Sequence, residues 1–409
     1  MKHQKLNLII NLSVFSFVLM FTYSIARPAT ESLFLKAHSS SSLPIVWLLV
    51  SIVITIVVEI YNRFVVRTNL IKLYGIISLI SSFFLIILLF ASILKIPFIY
   101  YVLYIWKDIY IIILIEIYYS FTNTIFSIKT ARWVYGILGA SGSIGGLTGN
   151  LLVGRLANIY GTENILWIIP PILFSIWLIS IPFNRFVEKI VTNEVSFKKT
   201  SGLIDSFKVI QKSQYLFLVV LLISLVQIVI NLIDFQYNSI LERVYPDTDI
   251  RTGIIGKVYA INDVSTVTLQ ILSGPILRLL GVPITLLFVP FLLGTGLCIF
   301  IVFPFFITIT SVKISSKCFD YSIFRVAKEI LYIPLSYEEK TQGKSIIDMM
   351  IYRIAKGGVS ILLLGIIAFK LSIFITLITL LFIMGWIFIT FIVVKRFRKR
   401  VSRKQEMET

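Results

Sequence analysis

The sequence predicts an all-α integral membrane protein of about twelve transmembrane helices in two six-helix bundles. Three observations predict it. Hydrophobic residues make up 57% of the 409 positions and charged residues 14%, more apolar surface than a water-soluble core absorbs. The apolar residues recur in long blocks, such as 76–93 and 371–394, each near the roughly 20 residues that cross hydrocarbon. The longest polar stretch, 184–213, falls in mid-chain and leaves six blocks on either side.

Taken in order, the expected spans are 7–26, 43–61, 70–93, 97–125, 134–157, 163–183, 214–237, 255–273, 284–303, 306–335, 345–368 and 371–394. Span 1 follows a basic start, as a signal peptide does, but its apolar run is too long and no small-residue cleavage site follows, so it reads as a retained helix. Residues 1–183 form an N-terminal bundle, 184–213 a cytoplasmic linker carrying Arg185, Lys189, Lys198, Lys199, Lys208 and Lys212, 214–394 a C-terminal bundle, and 395–409 a basic tail. The formal charge of +18 would suggest nucleic acid in a soluble protein. Here Lys and Arg crowd one side of the spans, which places both termini in the cytoplasm of a multi-pass inner-membrane protein. The tail, from Lys395 to Arg400, anchors against anionic lipid. No nucleic-acid partner is expected, and no oligomer is required.

Polar residues inside the spans carry the functional signal, since an ionisable group in hydrocarbon is costly unless it faces a wet cavity or a partner. Gln227, Asn231, Asp234 and Asn238 recur every three or four residues in span 7 and so share one face. Span 8 repeats this with Tyr259, Asp263, Thr266 and Gln270, and span 4 places Asp108, Glu116 and Asn123 on one side with Lys107 nearby. In span 10, Lys313, Lys317, Asp320, Tyr321 and Lys328 share a face bordered by Arg325 and Glu329. Span 11 adds Lys344, Asp348, Arg353 and Lys356. Such cations suit an anionic solute, because Lys and Arg give charge-assisted bonds to phosphate or carboxylate oxygens. Two plainer readings stand beside this: hydrogen bonds that only hold helices together, and internal salt bridges such as Asp320 with Lys328 or Arg325.

Span 5 contains Gly139, Gly142, Gly146 and Gly149. It lacks the Lys-Ser/Thr ending of a phosphate-binding loop, and its glycines read as a ridge for close helix packing. Cys298 and Cys318 are expected free, and the histidines His3 and His38 have no metal-ligand spacing. No enzyme constellation, cofactor site or nucleotide-hydrolysis motif is present, so transport has to run on a gradient or by exchange. Tyr23, Tyr118 and Tyr259 are candidates to stack on a base or to pack.

The six-plus-six plan is the outline of the major facilitator architecture, in which two bundles rock about a midplane site. Within spans 10 and 11, Lys328-Glu329, Tyr332-Ile333-Pro334-Leu335, Gly343-Lys344, Asp348 and Lys356-Gly357-Gly358 occur in order. Arg27-Pro28 with Glu31-Ser32-Leu33, Phe121-Thr122-Asn123 before Ala131-Arg132, and Asn231-Leu232-Ile233-Asp234 add to the pattern. It resembles the bacterial and plastid-type ATP/ADP translocases. The resemblance implies acids in spans 4 and 7, matched by Asp108 and Asp234, and a span 11 cation, matched by Lys344 or Lys356. It also implies a span 1 lysine, where this chain has Thr30. Arg325-Val326 replaces a common Asp-Pro, and Asn238 stands where lysine is common. The expected substrate site is therefore Arg27, Glu31, Asp108, Asn231, Asp234, Arg325, Lys328, Lys344 and Lys356. The expected function is alternating-access exchange of nucleotides or related phosphorylated anions. The alternatives are a proton-coupled carrier of a non-nucleotide solute, with Asp108, Glu116 or Asp234 taking the proton, and a scaffold that does not transport.

Overall fold

The computed structural model describes residues 2–65, 69–126, 128–188, 213–335, 339, 347 and 351–408, and the regular elements among them are all helical. In chain order they are α1 (Lys2–Ala37), α2 (Leu43–Val65), α3 (Leu70–Ile93), α4 (Ile99–Ile125), α5 (Ile128–Tyr160), the single turn α6 (Thr162–Ile165), α7 (Ile169–Glu188), α8 (Gln214–Val244), α9 (Thr248–Val302), α10 (Phe306–Tyr321), α11 (Ile323–Leu331), α12 (Tyr352–Ala368) and α13 (Ile375–Glu408). Eight stretches among the described residues are long and apolar enough to cross a membrane. The other expected spans coincide with helices that carry charge or are broken. Span 4 lies in α4 with Lys107, Asp108 and Glu116, and span 10 is divided between α10 and α11. Span 11 begins outside the described residues, as do Lys344 and Asp348.

Two boundaries differ from the sequence expectation, each for a local reason. Spans 8 and 9 run together as α9, which is kinked at Gly281 with φ 72° and ψ 162°. Glycine alone adopts that backbone without strain. Pro283, two residues on, suits the first turn of the next helix, where its missing N–H is not needed. Span 10 is interrupted at Ser322, whose backbone is non-helical at φ −116° and ψ −98° and whose hydroxyl donates to the Cys318 carbonyl.

The chain forms two compact units. Unit 1 comprises residues 1–39, 52–198 and 245–263, and unit 2 comprises 40–51, 199–244 and 264–409. In unit 1, α5 packs on α1 through glycine. A Cβ at Gly145 would lie 2.2 Å from the Phe17 carbonyl oxygen, one at Gly149 2.7 Å from that of Phe21, and one at Gly142 2.7 Å from Ser16 Oγ. Gly145 therefore belongs to the ridge, whereas a Cβ at Gly139 would meet open space. Hydroxyls fasten α3 to α7, with Ser78 Oγ donating to Leu173 O at 2.7 Å and Ser82 Oγ to Pro170 O at 2.8 Å.

In unit 2, α8 is the central helix, its Val219, Leu222, Ile223, Val226 and Ile230 all buried. Gln236 on α8 donates to Thr379 Oγ1 at 3.1 Å and accepts from Thr376 Oγ1 at 2.7 Å. Outer faces are apolar in both units. Ile80, Phe83, Ile87 and Phe90 on α3 are exposed, as are Leu377, Leu381, Met384, Phe388 and Phe391 on α13. Their three- and four-residue spacing makes one stripe along each helix, the surface that a lipid solvent demands. Cys298 is exposed, Cys318 buried, and both are free.

Candidate functional site

Each unit holds a charged cluster inside its apolar helices. In unit 1 the cluster is built on Glu31, one turn after Arg27 on α1. Arg27 Nε donates to Glu31 Oε1 at 3.1 Å, and the Tyr259 hydroxyl of α9 donates to Oε2 at 2.7 Å. The Arg27 guanidinium also lies over the Tyr259 ring, 4.0 Å from its centroid, with Tyr23 at 5.9 Å. Lys107 of α4, only 2% exposed at its side chain, stands 3.8 Å from Glu31 Oε1 and 2.8 Å from Asp108 Oδ1, and 3.8 Å from the Tyr104 centroid. Two cations and two acids are thus drawn together with three aromatic rings. Burial of that many charges is tolerable because each has an opposite charge in contact.

In unit 2 the cluster is built on Asp234 of α8. Lys317 Nζ of α10 is 2.8 Å from Oδ2 and Lys313 Nζ is 3.6 Å from Oδ1. One helical turn separates the two lysines, so both reach one carboxylate. Lys313, 3% exposed at its side chain, also stands 3.8 Å from the Tyr237 centroid. Asn231 and Asn238 keep the same face of α8 but turn their amides inward, donating to Gln227 O at 2.7 Å and Asp234 O at 2.8 Å. Gln227 donates to Asp320 at 3.4 Å.

The structure brings Arg27, Glu31 and Asp108 together, and it sets Asn231 one turn before Asp234. Lys328 is buried on α11 and donates to the Tyr352 hydroxyl at 3.1 Å, its ammonium 5.1 Å from that ring. Lys356 is half-buried on α12, while Arg325, Tyr321 and Glu329 are exposed. The shared face expected for span 10 is therefore broken at Ser322. Glu116 is exposed on α4, away from the side that carries Lys107. Tyr118 is a packing residue, buried with its hydroxyl on Leu12 O at 3.0 Å. Lys344 lies outside the described residues.

Lys107, Lys313, Lys317 and Tyr259 are central, although the expected substrate set omits them. The spacing of Lys313 and Lys317 was a signal; that Asp234, not Asp320, lies at ion-pair distance from them was not in the spacing. Chemically, the unit 1 cluster presents a guanidinium and an ammonium, and the unit 2 cluster two ammoniums, already held by carboxylates. A phosphate can take a carboxylate's place on either cation, as both are oxyanions that accept the same charge-assisted bonds.

The profile of the family described as TLC ATP/ADP transporter matches residues 95–397. The ADP,ATP carrier protein 3 of Rickettsia typhi is 27% identical over 298 residues, 61% of this chain and 59% of that protein. The ADP,ATP carrier protein 5 of the same organism is 24% identical over 293 residues, 61% of this chain and 58% of that one. The match thus spans about three-fifths of the length of these relatives. Among solved structures, a bacterial homologue of the human lysosomal transporter Spinster superposes with a TM-score of 0.66 at 14% identity, covering 98% of this chain and 99% of that one. The nucleoside transporter NupG does so with 0.62 at 14% identity, covering 96% and 99%. At such identities the likeness shows the fold, which is major-facilitator-like.

Proposed function

This chain belongs to the TLC ATP/ADP transporter family, and we propose that it exchanges nucleotides or related phosphorylated anions across the bilayer by alternating access. It is a multi-pass membrane transporter, not an enzyme. Arg27, Lys107, Lys313, Lys317, Lys328 and Lys356 bind phosphate oxygens in this reading, with Lys344 and Arg325 as further cations. Glu31, Asp108 and Asp234 release those cations to the substrate and take them back when it leaves, and Asn231 positions the Asp234 turn. The six spans before residue 184 and the six after 213 are the two moving bundles, and both termini face the cytoplasm across the inner membrane.

The observation that carries the reading is the contact of carboxylate with cation in both clusters, at 2.8 Å for Lys107 with Asp108 and for Lys317 with Asp234. A buried pair is stable while matched, and stripping one partner costs about 3–5 kcal/mol. An anionic substrate that displaces a carboxylate and departs without replacement leaves the carrier to re-form the pair first. That makes binding of a second anion the faster way out, which is exchange. The two relatives named as ADP,ATP carriers support the nucleotide class. Purified protein in liposomes loaded with ADP should take up labelled ATP, and unloaded liposomes should take up far less. Absence of counterflow with every nucleotide tried would refute the proposal.

A further inference from the structure

Asp263 lies one turn beyond Tyr259 on α9 and differs from the other acids. Glu31, Asp108 and Asp234 each have an ammonium or guanidinium within ion-pair distance. Asp320 is faced by Lys317, Lys328 and Arg325. Asp263 makes no ion pair among the described residues. Its Oδ2 accepts from Asn150 Nδ2 of α5 at 2.8 Å, and Asn262 is its neighbour in the chain. Gly146, also on α5, lies beside the same oxygen, a Cβ there falling 3.6 Å from Oδ2. From α1 the one charged group that acts on it is Arg27, whose guanidinium is already bonded to Glu31 and laid on Tyr259. Tyr259, one turn earlier on α9, is committed to Glu31.

A second observation points to what binds here. The other amide oxygens of this group, Asn150 Oδ1 and Asn262 Oδ1, are buried and have no donor among the described residues. A buried acceptor without a donor costs about 1–3 kcal/mol. An ionised Asp263 cannot satisfy either, because it only accepts. A protonated Asp263 has one O–H to give, and half a turn of either amide about its terminal bond brings the oxygen round to accept it. The protonated group therefore leaves one buried acceptor fewer without a donor than the ionised group does.

From this geometry we propose that Asp263 is a proton-binding site that links transport to the proton gradient. The ATP-loaded carrier crosses inward with the proton on the Asp263 oxygen, taken from water outside, gives it to water inside as the O–H bond breaks, and returns loaded with ADP and with Asp263 ionised. The Asn150 amide donates to the ionised carboxylate, and an amide oxygen turned toward Asp263 accepts from the protonated one. The inference rests on the exchange reading above, extending it to a coupled ion.

The test uses the full chain in liposomes loaded with ADP and a trapped pH dye, with labelled ATP outside. For one proton per cycle, a gradient of about one pH unit, acid outside, is a drive of about tenfold in the accumulation ratio. The wild type should show severalfold stimulation of ATP entry and acidification of the lumen. Asp263→Asn, which keeps shape and donors, should retain counterflow without gradient stimulation or dye response. Wild-type counterflow indifferent to the gradient, or coupling that survives in Asp263→Asn, would overturn the proposal. If the wild type shows no counterflow, the exchange reading fails, and the proton site is then judged by infrared difference spectra of the purified protein. A protonated-acid carbonyl band should appear on lowering the pH, shift in Asn150→Ala and vanish in Asp263→Asn. Its absence from the wild type, or its persistence in Asp263→Asn, would refute the site.

Discussion

Replacing Asp234 by asparagine separates two roles that a membrane carboxylate can have in a carrier. In one it holds the substrate's polar end; in the other it competes with the substrate for cations. The structure favours the second, because Lys317 and Lys313 stand 2.8 and 3.6 Å from its two oxygens. Lys313 is 3% exposed, so the ammonium that loses Asp234 is not simply rehydrated. Breaking such a pair costs about 3–5 kcal/mol when fully buried. Lys317 is 17% exposed and Asp234 13%, so a smaller penalty of about 2 kcal/mol is the better figure for the site as a whole. An incoming phosphate recovers part of that penalty by neutralising the lysines. At 1.4 kcal/mol per tenfold, nucleotide should bind Asp234→Asn about tenfold more tightly, and release should slow to match. The assay is ATP counterflow at varied concentration, with thermal-shift titration of the purified protein giving affinity independently. The expected pattern is a lower KM and a lower maximal rate. A raised KM with weakened binding would refute the argument and assign Asp234 to direct contact with the substrate.

Lys107→Met should lower the apparent melting temperature in detergent, and Lys107→Met with Asp108→Asn should recover much of the loss; failure of the second change to rescue would show that the pair is not coupled. Gly145→Ala places a methyl 2.2 Å from the Phe17 carbonyl oxygen, so the yield of folded protein should fall, at an overpacking cost of about 1–3 kcal/mol, whereas Gly139→Ala, in open space, should be neutral in the same assay. Lys328→Met should reduce counterflow far more than Arg325→Gln, since Lys328 is buried against Tyr352 and Arg325 is exposed. His38, in the turn after α1, packs 4.6 Å from the Tyr101 ring and 5.4 Å from Phe34, and burial holds its imidazole below the ordinary 6.5. The unfolded chain therefore takes up the proton first. The stability that His38 contributes is complete above about pH 6.5 and declines as pH falls toward the folded value, so melting curves on the acid side should flatten in His38→Gln relative to the wild type.

Much of the fold was legible because lipid imposes long, simple signals. A block such as 70–93 has to be a helix of that length to cross hydrocarbon with its backbone satisfied, and α3 occupies Leu70–Ile93. The position of the acids was legible for the same reason, since Asp108 and Asp234 are conspicuous in apolar surroundings. What escaped were the points where one residue resets the geometry. A helical wheel drawn through 306–335 assumes an unbroken 100° advance per residue. The single non-helical residue Ser322 dislocates that phase, so Lys328 is buried while Arg325 and Tyr321 are exposed. The joint between spans 8 and 9 was legible as a break, since 274–283 lies between them, but its tightness was not, the non-helical backbone being confined to Gly281. Pairing partners were illegible in principle. Periodicity says which side chains share a helix face, but nothing in it says that Asp234, in preference to Asp320, meets Lys313 and Lys317.

The departure at Thr30 acquires a physical meaning from the same contacts. Thr30 is 1% exposed, and its hydroxyl turns back on the Ala26 carbonyl at 2.8 Å, so this position of α1 faces packed protein. A lysine there would have to bury its ammonium or displace neighbours. The cation beside Glu31 comes instead from α4, as Lys107, and from one turn earlier on α1, as Arg27. Arg325, gained where Asp-Pro is common, is exposed on α11. Charge balance is local, because a carboxylate in a dry interior is stabilised by the cation that touches it and scarcely by one elsewhere in the chain. Lys107→Met should therefore weaken ATP counterflow in proportion to its loss of stability, and Arg27→Lys should weaken it more than its retained charge implies. Lysine cannot both lie flat on the Tyr259 ring and donate sideways to Glu31 as the planar guanidinium does. Full activity in Arg27→Lys would show that only the charge at this position matters and would return the Thr30 question to one of total charge.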